Sequence, residues 1–244
     1  MNISTIGVIG HGRFGSFFSD LVLPMVFPKA KIFISSRTSK DKRVVNFDIV
    51  ANSDLIIPAV PIRKMPNVLK KLSRNISKSS IVMEVCSVNK LPVEWMKEIL
   101  PKFTPLISSH PLFGRSSYEK VRGDLSKLTM VMYPVRINNT QYTFIRDAFS
   151  KVVNIVRMSP DSHDKKAAKF QFLSHLIGGV LHRLDLNRSE IDTESASRMF
   201  DMIEVLNSDS LVLFEDIYKF NLYAKHELEK FDKVYKKING KLLK

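Results

Sequence analysis

Residues 6–15 read Ile-Gly-Val-Ile-Gly-His-Gly-Arg-Phe-Gly, and this stretch decides the fold. Gly10, Gly12 and Gly15 fill the pattern G-x-G-x-x-G between a predicted strand and a predicted helix. There the first glycine permits a tight turn, the second lets the backbone approach a pyrophosphate, and the third lets the helix pack closely on the strand. The stretch predicts a dinucleotide-binding loop; the alternative is a tight turn without a ligand. The other side chains predicted to line the loop are His11, Arg13 and Phe14.

Short runs rich in Ile and Val alternate with amphipathic stretches through the first 157 residues. This alternation predicts βαβ units and a parallel sheet. The predicted strands are Ser4–Ile9, Lys31–Ser35, Asp54–Val60, Ser80–Val85, Leu106–Ser109 and Leu128–Tyr133. The predicted helices are Arg13–Leu23, ended by Pro24, followed by Lys64–Arg74, Pro92–Leu100 and Gln141–Val152.

The pattern becomes helical after residue 157. The helices predicted there are His163–Leu186, with Gly178–Gly179 as the candidate point for a kink, Thr193–Asn207, Ser210–Asn221 and Leu222–Asn239. We therefore predict the α/β class, with a Rossmann-type dinucleotide-binding domain over 1–157 and a small all-helical domain over 158–244. Because so small a core is marginal alone, we expect its helices to pack on the first domain and on the second subunit of a homodimer.

Composition excludes several classes of protein. The 244 residues are 44% hydrophobic, which suffices for a packed core. No apolar run approaches the roughly 20 residues of a membrane span, and no secretory signal is visible. The single cysteine excludes an intramolecular disulfide and a multi-cysteine zinc site. We expect a soluble cytoplasmic protein with no metal and no membrane partner.

The net charge of +14, from 38 basic against 24 acidic residues, leaves two interpretations open. It fits a polyanionic partner such as nucleic acid, and it equally fits a solvated, lysine-rich surface. The basic residues are spread along the chain without aromatic interleaving or a recognised nucleic-acid motif. We therefore expect no nucleic-acid partner.

The end of the second strand predicts which dinucleotide binds. An NAD site usually has an acid there for the ribose 2′-OH, whereas an arginine accommodates a 2′-phosphate. Here Ser36, Arg37 and Thr38 follow the strand, and the first acid is Asp41. The guanidinium and the hydroxyls suit a phosphate, so NADP is favoured over NAD. The alternative is a solvated basic turn.

His110 is the candidate catalytic base among the six histidines. It directly follows the strand Leu106–Ser109, and polar groups at the carboxyl ends of such strands face the ligand crevice. Histidine is the usual proton acceptor near neutral pH. Ser87 follows another predicted strand and is expected to face the same crevice. On the residues alone, a structural turn histidine is the favoured alternative.

Further motifs give the chain a family resemblance. They are S-S-R at 35–37, E-V-C-S-V-N-K at 84–90, S-H-P-L-F-G at 109–114, M-S-P-D-S-H-D-K-K-A-A-K-F-Q-F-L-S-H at 158–175, I-D-T-E-S at 191–195 and S-D-S-L-V-L-F at 208–214. With the glycine loop, they resemble the prephenate/arogenate dehydrogenase (TyrA) family of tyrosine biosynthesis, especially its plant-type arogenate dehydrogenase branch. The resemblance covers nearly the whole chain.

The resemblance implies an oxidative decarboxylation. The family transfers hydride from the ring carbon that bears the hydroxyl to NAD(P)+, and loss of CO2 then aromatises the ring. Prephenate gives 4-hydroxyphenylpyruvate, and arogenate gives tyrosine. His110 matches the histidine that polarises or deprotonates the hydroxyl, and Ser87 matches the serine that bonds this histidine near the nicotinamide.

Two positions depart from the family pattern. Many members have the tripeptide Ser-Val-Lys, whereas this chain has Asn89 at the third position. Lys90, the next residue, is the candidate substitute for the family's lysine. Arogenate-using relatives commonly carry an acid two residues past the motif glycine, here Gly114, and this chain has Ser116 there beside Arg115. A neutral side chain beside a cation favours a keto-acid dianion over a zwitterion, so we expect prephenate as the preferred substrate.

The predicted substrate residues of the second domain rest on the same resemblance. His163 and His175 recur in the family's helix at this spacing, with Gln171 between them, and we divide the two histidines between substrate binding and structural hydrogen bonding. No arginine matches the carboxylate-binding arginine of bacterial relatives, whose position falls at Val205. Arg198 is the candidate substitute, with a surface arginine as the alternative.

Two other functions remain open from the sequence. One is a different NAD(P)-dependent two-domain reductase or dehydrogenase that acts on an imine or a small acid. The other is a non-catalytic regulatory protein that retains a dinucleotide fold. The S-H-P-L-F-G and S-H-D-K motifs favour the prephenate/arogenate dehydrogenase function over both.

Overall fold

The computed structural model describes residues 1–207 and 211–244. The chain divides into two compact units, Met1–Asp161 and Ser162–Lys244. Among the described residues, no helix is both long and apolar enough to cross a membrane.

A seven-stranded sheet forms the centre of the first unit, with the order β2-β1-β3-β4-β5-β6-β7. The strands β1 to β5 are parallel and confirm the predicted α/β class. The order reverses between β1 and β3, which is the switch point where ligands bind in such sheets. The strands are β1 (Thr5–Ile9), β2 (Lys31–Ser35), β3 (Leu55–Pro58), β4 (Ile81–Met83), β5 (Leu106–Pro111), β6 (Thr129–Arg136) and β7 (Asn154–Arg157).

The expectation of an entirely parallel sheet is wrong at its far edge. β6 pairs antiparallel with β5, and β7 pairs parallel with β6. The chain between β5 and β6 folds back instead of crossing the sheet, because its helix α6 (Arg115–Lys120) is short and Leu112 N–H already donates to Thr129 C=O. A parallel neighbour requires a longer crossover.

The first helix continues past the point where Pro24 was expected to end it. α1 (Arg13–Phe17) runs into a π-helical stretch, Phe18–Val22, and then into α2 (Leu23–Val26). Leu23 N–H donates to Phe18 C=O across this wide turn. The widened turn leaves room for the proline ring and does not need its missing N–H. The helix ends instead before Pro28, because a residue that precedes proline disfavours the helical conformation.

The remaining helices of the first unit lie between the strands. They are α3 (Phe47–Ala51), α4 (Met65–Asn75), α5 (Lys90–Ile99), α6 and α7 (Asn139–Ser150), with 3-10 turns at Ile62–Lys64 and Leu125–Lys127. Asn138 caps α7 by accepting from Gln141 N–H, so this helix begins earlier than predicted.

A cluster of buried phenylalanines fixes α1 beneath the glycine loop. The ring of Phe18 stacks on Phe149 of α7 with centroids 6.2 Å apart, and Phe27 meets Phe149 edge-on at 5.8 Å. Phe17 and Phe18 are fully buried. Since each buried phenylalanine contributes about 1.5–3 kcal/mol, this contact anchors the segment that carries the loop.

Helices are the regular secondary structure of the second unit among its described residues, as predicted. A helix crosses the unit boundary as α8 (Pro160–Ala167), becomes π-helical over Ala168–Phe172 and continues as α9 (Leu173–Arg183). The helical hydrogen bonding therefore changes at the π segment, while Gly178–Gly179 lie within regular α9. The other helices are α10 (Glu194–Asn207), α11 (Leu211–Phe220) and α12 (Ala224–Leu242). Ser210, the predicted start of α11, lies outside the described residues.

Candidate active site

The glycine loop lies at the switch point of the sheet, and its three glycines differ in their surroundings. Gly10 has φ +101°, and a Cβ there would collide with Ala59 C=O after β3. A Cβ on Gly15 would collide with Gly10 C=O. Around Gly12 a Cβ would meet nothing within 4 Å. Two glycines thus pack backbone on backbone, and the third leaves open backbone where a pyrophosphate fits.

The predicted lining residues of this loop lie in different environments. Arg13 is exposed at the first position of α1, whereas the ring of Phe14 stacks on Phe18 at 5.2 Å and faces the core. His11 Nδ1 lies 2.8 Å from Ser39 Oγ, which ties the glycine loop to the loop after β2.

The loop after β2 holds its hydroxyls in a defined turn. Ser36 Oγ accepts from the backbone N–H groups of Thr38 and Ser39, at 3.3 and 3.1 Å. Arg37 and Thr38 are exposed. Because its oxygen accepts twice, the Ser36 hydroxyl proton is directed away from this turn and can be donated to a ligand.

Asp41, the first acid after β2, is committed to Arg43. Its carboxylate accepts from the backbone N–H, Nε and Nη2 of Arg43, at 2.8, 2.9 and 2.6 Å. These bonds hold the pKa of Asp41 well below its usual range and raise the pKa of Arg43. Arg43 also bonds Asp20. His11, Asp20 and Asp41 lie close enough to ligate a cation, but the Arg43 guanidinium already supplies the positive charge there.

His110 lies inside β5, not after it as predicted. It is 4% exposed and pairs with Val131 of β6. The antiparallel partner extends the ladder through His110 and Pro111, which is why the strand is longer than its apolar run indicated. Its side chain shares one face of the sheet with that of Ser108, because strand side chains alternate.

The segment after β5 contacts the glycine-loop helix. The ring of Phe113 meets Phe17 edge-on at 6.3 Å, and the Arg115 guanidinium lies 5.9 Å from the centre of the Phe17 ring. Arg13 Nη2 donates to Ser116 Oγ at 3.3 Å. Gly114 precedes α6, and a Cβ there would meet nothing within 4 Å. The structure therefore brings Arg115 and Ser116, at the start of α6, into contact with α1, where Ser116 meets Arg13 and Arg115 meets Phe17.

Glu84 is the residue that sequence reasoning missed. It follows β4 and is fully buried. Its Oε1 accepts from Ser108 Oγ at 2.6 Å, Asn89 Nδ2 at 2.9 Å and Ser109 N–H at 3.1 Å, while Oε2 accepts from Cys86 N–H at 2.7 Å. Burial raises the pKa of Glu84 to about 8, against these hydrogen bonds, which lower it. The sequence signal for Glu84 is an acidic residue at the end of an apolar run, because acidic side chains are rarely fully buried.

Ser87 lies half-buried between the buried residues Cys86 and Val88, in the loop that Glu84 holds. Asn89, where many family members have lysine, also donates to the C=O groups of Cys86 and Ser109. Lys90 pairs with Asp161 at 2.7 Å. Asn89 therefore has a structural role in this loop, and Lys90 forms an ion pair with Asp161.

In the second unit, His163, Gln171 and His175 lie on one continuous helix. Three α-turns take about 11 residues, and the π segment adds about one more, so the two histidines lie nearly three turns apart. His163 is buried, with Nδ1 2.8 Å from Asp164 Oδ1. His175 Nδ1 lies 2.8 Å from Gln171 C=O, and its ring stacks on Phe214.

Gln171 and Arg198 differ in what surrounds their polar atoms. Gln171 Oε1 is buried and has no hydrogen-bond partner among the described residues. The Arg198 side chain is 77% exposed and pairs with Glu194 at 3.0 Å, in the same helix α10. The side chain of Val205 lies outside the described residues.

Comparison with known proteins supports the sequence motifs. Residues 35–137 match the family described as prephenate dehydrogenase, nucleotide-binding domain, and residues 180–244 match one described as TYRAAT1-like, C-terminal domain. Arogenate dehydrogenase 2, chloroplastic, of Arabidopsis thaliana is 26% identical over 97% of this chain and 69% of its own length. Arogenate dehydrogenase 1, chloroplastic, of the same plant is 26% identical over 97% of this chain and 39% of its own length.

A solved structure shows the same fold. Prephenate dehydrogenase from A. aeolicus, in complex with hydroxyphenyl propionate and NAD+, superposes with a TM-score of 0.76 at 18% identity. The match covers 100% of this chain and 92% of that one.

The glycine loop at the switch point, with this fold, defines an oxidoreductase that uses a nicotinamide dinucleotide. More narrowly, the chain is similar to prephenate/arogenate dehydrogenases over nearly its whole length, as its motifs predicted.

The raised pKa of Glu84 predicts a pH-dependent stability. The folded protein binds this proton more tightly than the unfolded chain, so the contribution of Glu84 is largest below its ordinary pKa of 4.5 and is lost as pH rises to about 8. Between these values the free energy of unfolding, relative to E84Q, is expected to fall by up to about 1.4 kcal/mol per pH unit. Urea unfolding of both proteins at pH 5, 6, 7 and 8 measures this change in unfolding free energy. A difference in unfolding free energy between the two proteins that stays constant over this pH range would contradict the prediction.

Proposed function

We propose that the protein is an NADP-dependent dehydrogenase that oxidatively decarboxylates prephenate or arogenate in tyrosine biosynthesis. The observation that carries the proposal is the contact between the glycine loop and the segment after His110, through Arg13 and Ser116. This contact lies within one compact unit, so the dinucleotide loop and the candidate base share one rigid support. In this assignment 1–157 bind the dinucleotide, and 158–244 contribute to substrate binding and to a homodimer.

The dinucleotide would be held by the glycine loop and the loop after β2. Open backbone at Gly12 and the exposed N-terminus of α1 suit a pyrophosphate. A nicotinamide held there would supply the acceptor for the substrate's hydride. In the oxidation, the ring carbon would lose a hydride, and the hydroxyl would lose its proton to His110. The carboxylate would then leave as CO2, and its electron pair would complete the aromatic ring. The oxygen, now a phenolate, would take the proton back from His110.

The role of His110 is to accept the hydroxyl proton. Its burial excludes water from the imidazole, and its place in a paired strand fixes the direction of the ring. Ser87, in the loop beside β5, is assigned to orient the imidazole.

The choice of NADP over NAD rests on two guanidinium groups with different partners. Arg43 is fully engaged by Asp20 and Asp41, which removes Asp41 as an acceptor for a ribose 2′-OH. Arg37 is exposed beside the hydroxyls of Ser36 and Thr38. An exposed guanidinium with two adjacent hydroxyls suits a 2′-phosphate.

Prephenate is the favoured substrate on charge grounds. Ser116 is neutral, follows Arg115 directly along the chain, and accepts from Arg13 Nη2 at 3.3 Å. Two cations near one small hydroxyl favour a dianion over the ammonium of arogenate. In the second unit, the buried Gln171 Oε1 offers an acceptor to a substrate hydroxyl, and the exposed Arg198–Glu194 pair supports the surface alternative for Arg198.

A homodimer through the second unit is part of the same proposal. Several large apolar side chains of that unit are exposed, among them Phe170, Ile191 and Leu242. Burial of such side chains by a second copy would lower the free energy of the assembly. The native mass in solution distinguishes a dimer from a monomer.

The decisive measurement is NADPH and NADH formation with each substrate and each dinucleotide, in four combinations. We expect the highest kcat/KM with prephenate and NADP+. A much higher kcat/KM with arogenate would reject the charge argument at Ser116. Binding of NADP+ without turnover of either substrate would instead favour a regulatory protein.

The substitution R37A tests the phosphate assignment. Loss of a charge-assisted fork costs about 1.5–3 kcal/mol, so the Kd for NADP+ is expected to rise by roughly tenfold to a hundredfold. The Kd for NAD+ should change less than threefold, because NAD+ has no 2′-phosphate. K42A, at an exposed lysine of the same loop, is the matched control. Equal losses for the two dinucleotides would refute the assignment.

The substitution H110N tests the base. A positioned general base contributes about 10²- to 10⁴-fold, so kcat is expected to fall by that factor. The Kd for NADP+ should remain within twofold of the original value, because the glycine loop is untouched. Stopped assays of product and fluorescence titration of the dinucleotide measure the two quantities. Undiminished turnover would eliminate His110 as the base.

A further inference from the structure

The loop that carries Ser87 and the strand that carries His110 meet at one buried side chain. Glu84 accepts from Cys86 N–H and Asn89 Nδ2 on the loop, and from Ser108 Oγ and Ser109 N–H on β5. Its own C=O also accepts from Ser109 Oγ at 2.5 Å. One residue therefore bonds both segments, from a position with no exposed surface.

These bonds lie next to both candidate catalytic residues along the chain. Cys86 precedes Ser87 directly, and Ser109 precedes His110 directly. Ser108 shares a sheet face with His110, so its bond to Oε1 fixes the strand one pleat before the imidazole. Movement of the carboxyl group would shift Ser87 and His110 relative to one another.

Asn89 reinforces the same link. It donates to Glu84 Oε1, and it also reaches Cys86 C=O and Ser109 C=O at 3.3 and 3.2 Å. The side-chain amide of Asn89 thus links the loop to β5, as the carboxyl group of Glu84 also does. A buried network of this kind specifies one arrangement, since an unmade bond there is costly.

We infer that Glu84 is a positioning residue: its carboxyl group sets the geometry between Ser87 and His110, and it acts on the reaction through them without touching substrate. The inference rests on the function proposed above. A carboxyl group suits this role because its two oxygens accept from both segments at once. A glutamine accepts through one oxygen only, so it can satisfy the three donors at Oε1 or the Cys86 N–H at Oε2, but not both.

The test is E84Q, with E98Q on the exposed face of α5 as the matched control. We expect kcat to fall by about tenfold to a hundredfold, as for a displacement of reacting groups by about 1 Å. The Kd for NADP+ should stay within twofold, because the glycine loop lies on other strands. E98Q should leave both unchanged. Full activity of E84Q would overturn the inference.

Two further measurements separate positioning from a general loss of folding. In the H110N background, E84Q should reduce kcat less than twofold, because its effect passes through His110; an equal loss in both backgrounds would overturn the inference. S108A removes one donor at Oε1 and spares the rest of the core, so it keeps the test valid if E84Q folds poorly. Its kcat should fall about threefold to tenfold; an unchanged kcat would count against the inference.

An activity-independent readout distinguishes failure of this inference from failure of the proposed function. Hydrogen exchange at the Cys86 and Ser109 amides should be at least tenfold faster in E84Q than in the original protein, while exchange in β1 and β2 stays the same. This result stands even if neither prephenate nor arogenate is turned over. Unchanged exchange at both amides would overturn the inference, whatever the activity.

Discussion

Close approach of three backbone segments at Gly10 and Gly15 is the constraint on which the first unit depends. Gly10 lies against the chain that leaves β3, and Gly15 lies against Gly10, so neither position admits a side chain. The constraint sets the distance between β1, β3 and α1 and directs the N-terminus of α1 toward the crevice. The phenylalanine cluster around Phe149 supports that position from below. A short sequence motif therefore fixes the orientation of a whole helix.

Much of the fold follows from local patterns, and its exceptions have local causes. The strand Lys31–Ser35 is readable from its continuous apolar run over residues 32–34. The switch from alternating to helical patterning is readable from the spacing of apolar residues after residue 157. The antiparallel β6 was not readable, because the direction of a strand depends on how its connection folds back. The helix through Pro24 was not readable either, since a π turn leaves no signal in apolar spacing.

The residues of the candidate site likewise divide into those that the sequence predicts and those that only the structure shows. Gly10, Arg37 and His110 could be predicted because each follows the apolar run of a predicted strand, where topology alone predicts a crevice, although His110 itself lies inside β5. Glu84 was not, because its importance lies in contacts with Ser108 and Ser109, which are distant along the chain. The engagement of Asp41 by Arg43 also needed the structure, since sequence gives a charge but not its partner. Most of the +14 charge remains an exposed surface feature, as in the many lysines of α12.

The Asp41–Arg43 pair has a consequence for how coenzyme preference can evolve in this chain. The acid that would favour an unphosphorylated ribose is present in the sequence but is held by a neighbour. If Arg37 binds the 2′-phosphate, as proposed, its loss alone would weaken NADP+ binding without creating an acceptor for the 2′-OH of NAD+. Release of Asp41 would also require a change at Arg43, which at the same time frees Asp20. Under the proposed assignment, a switch of coenzyme would therefore require changes at both Arg37 and Arg43.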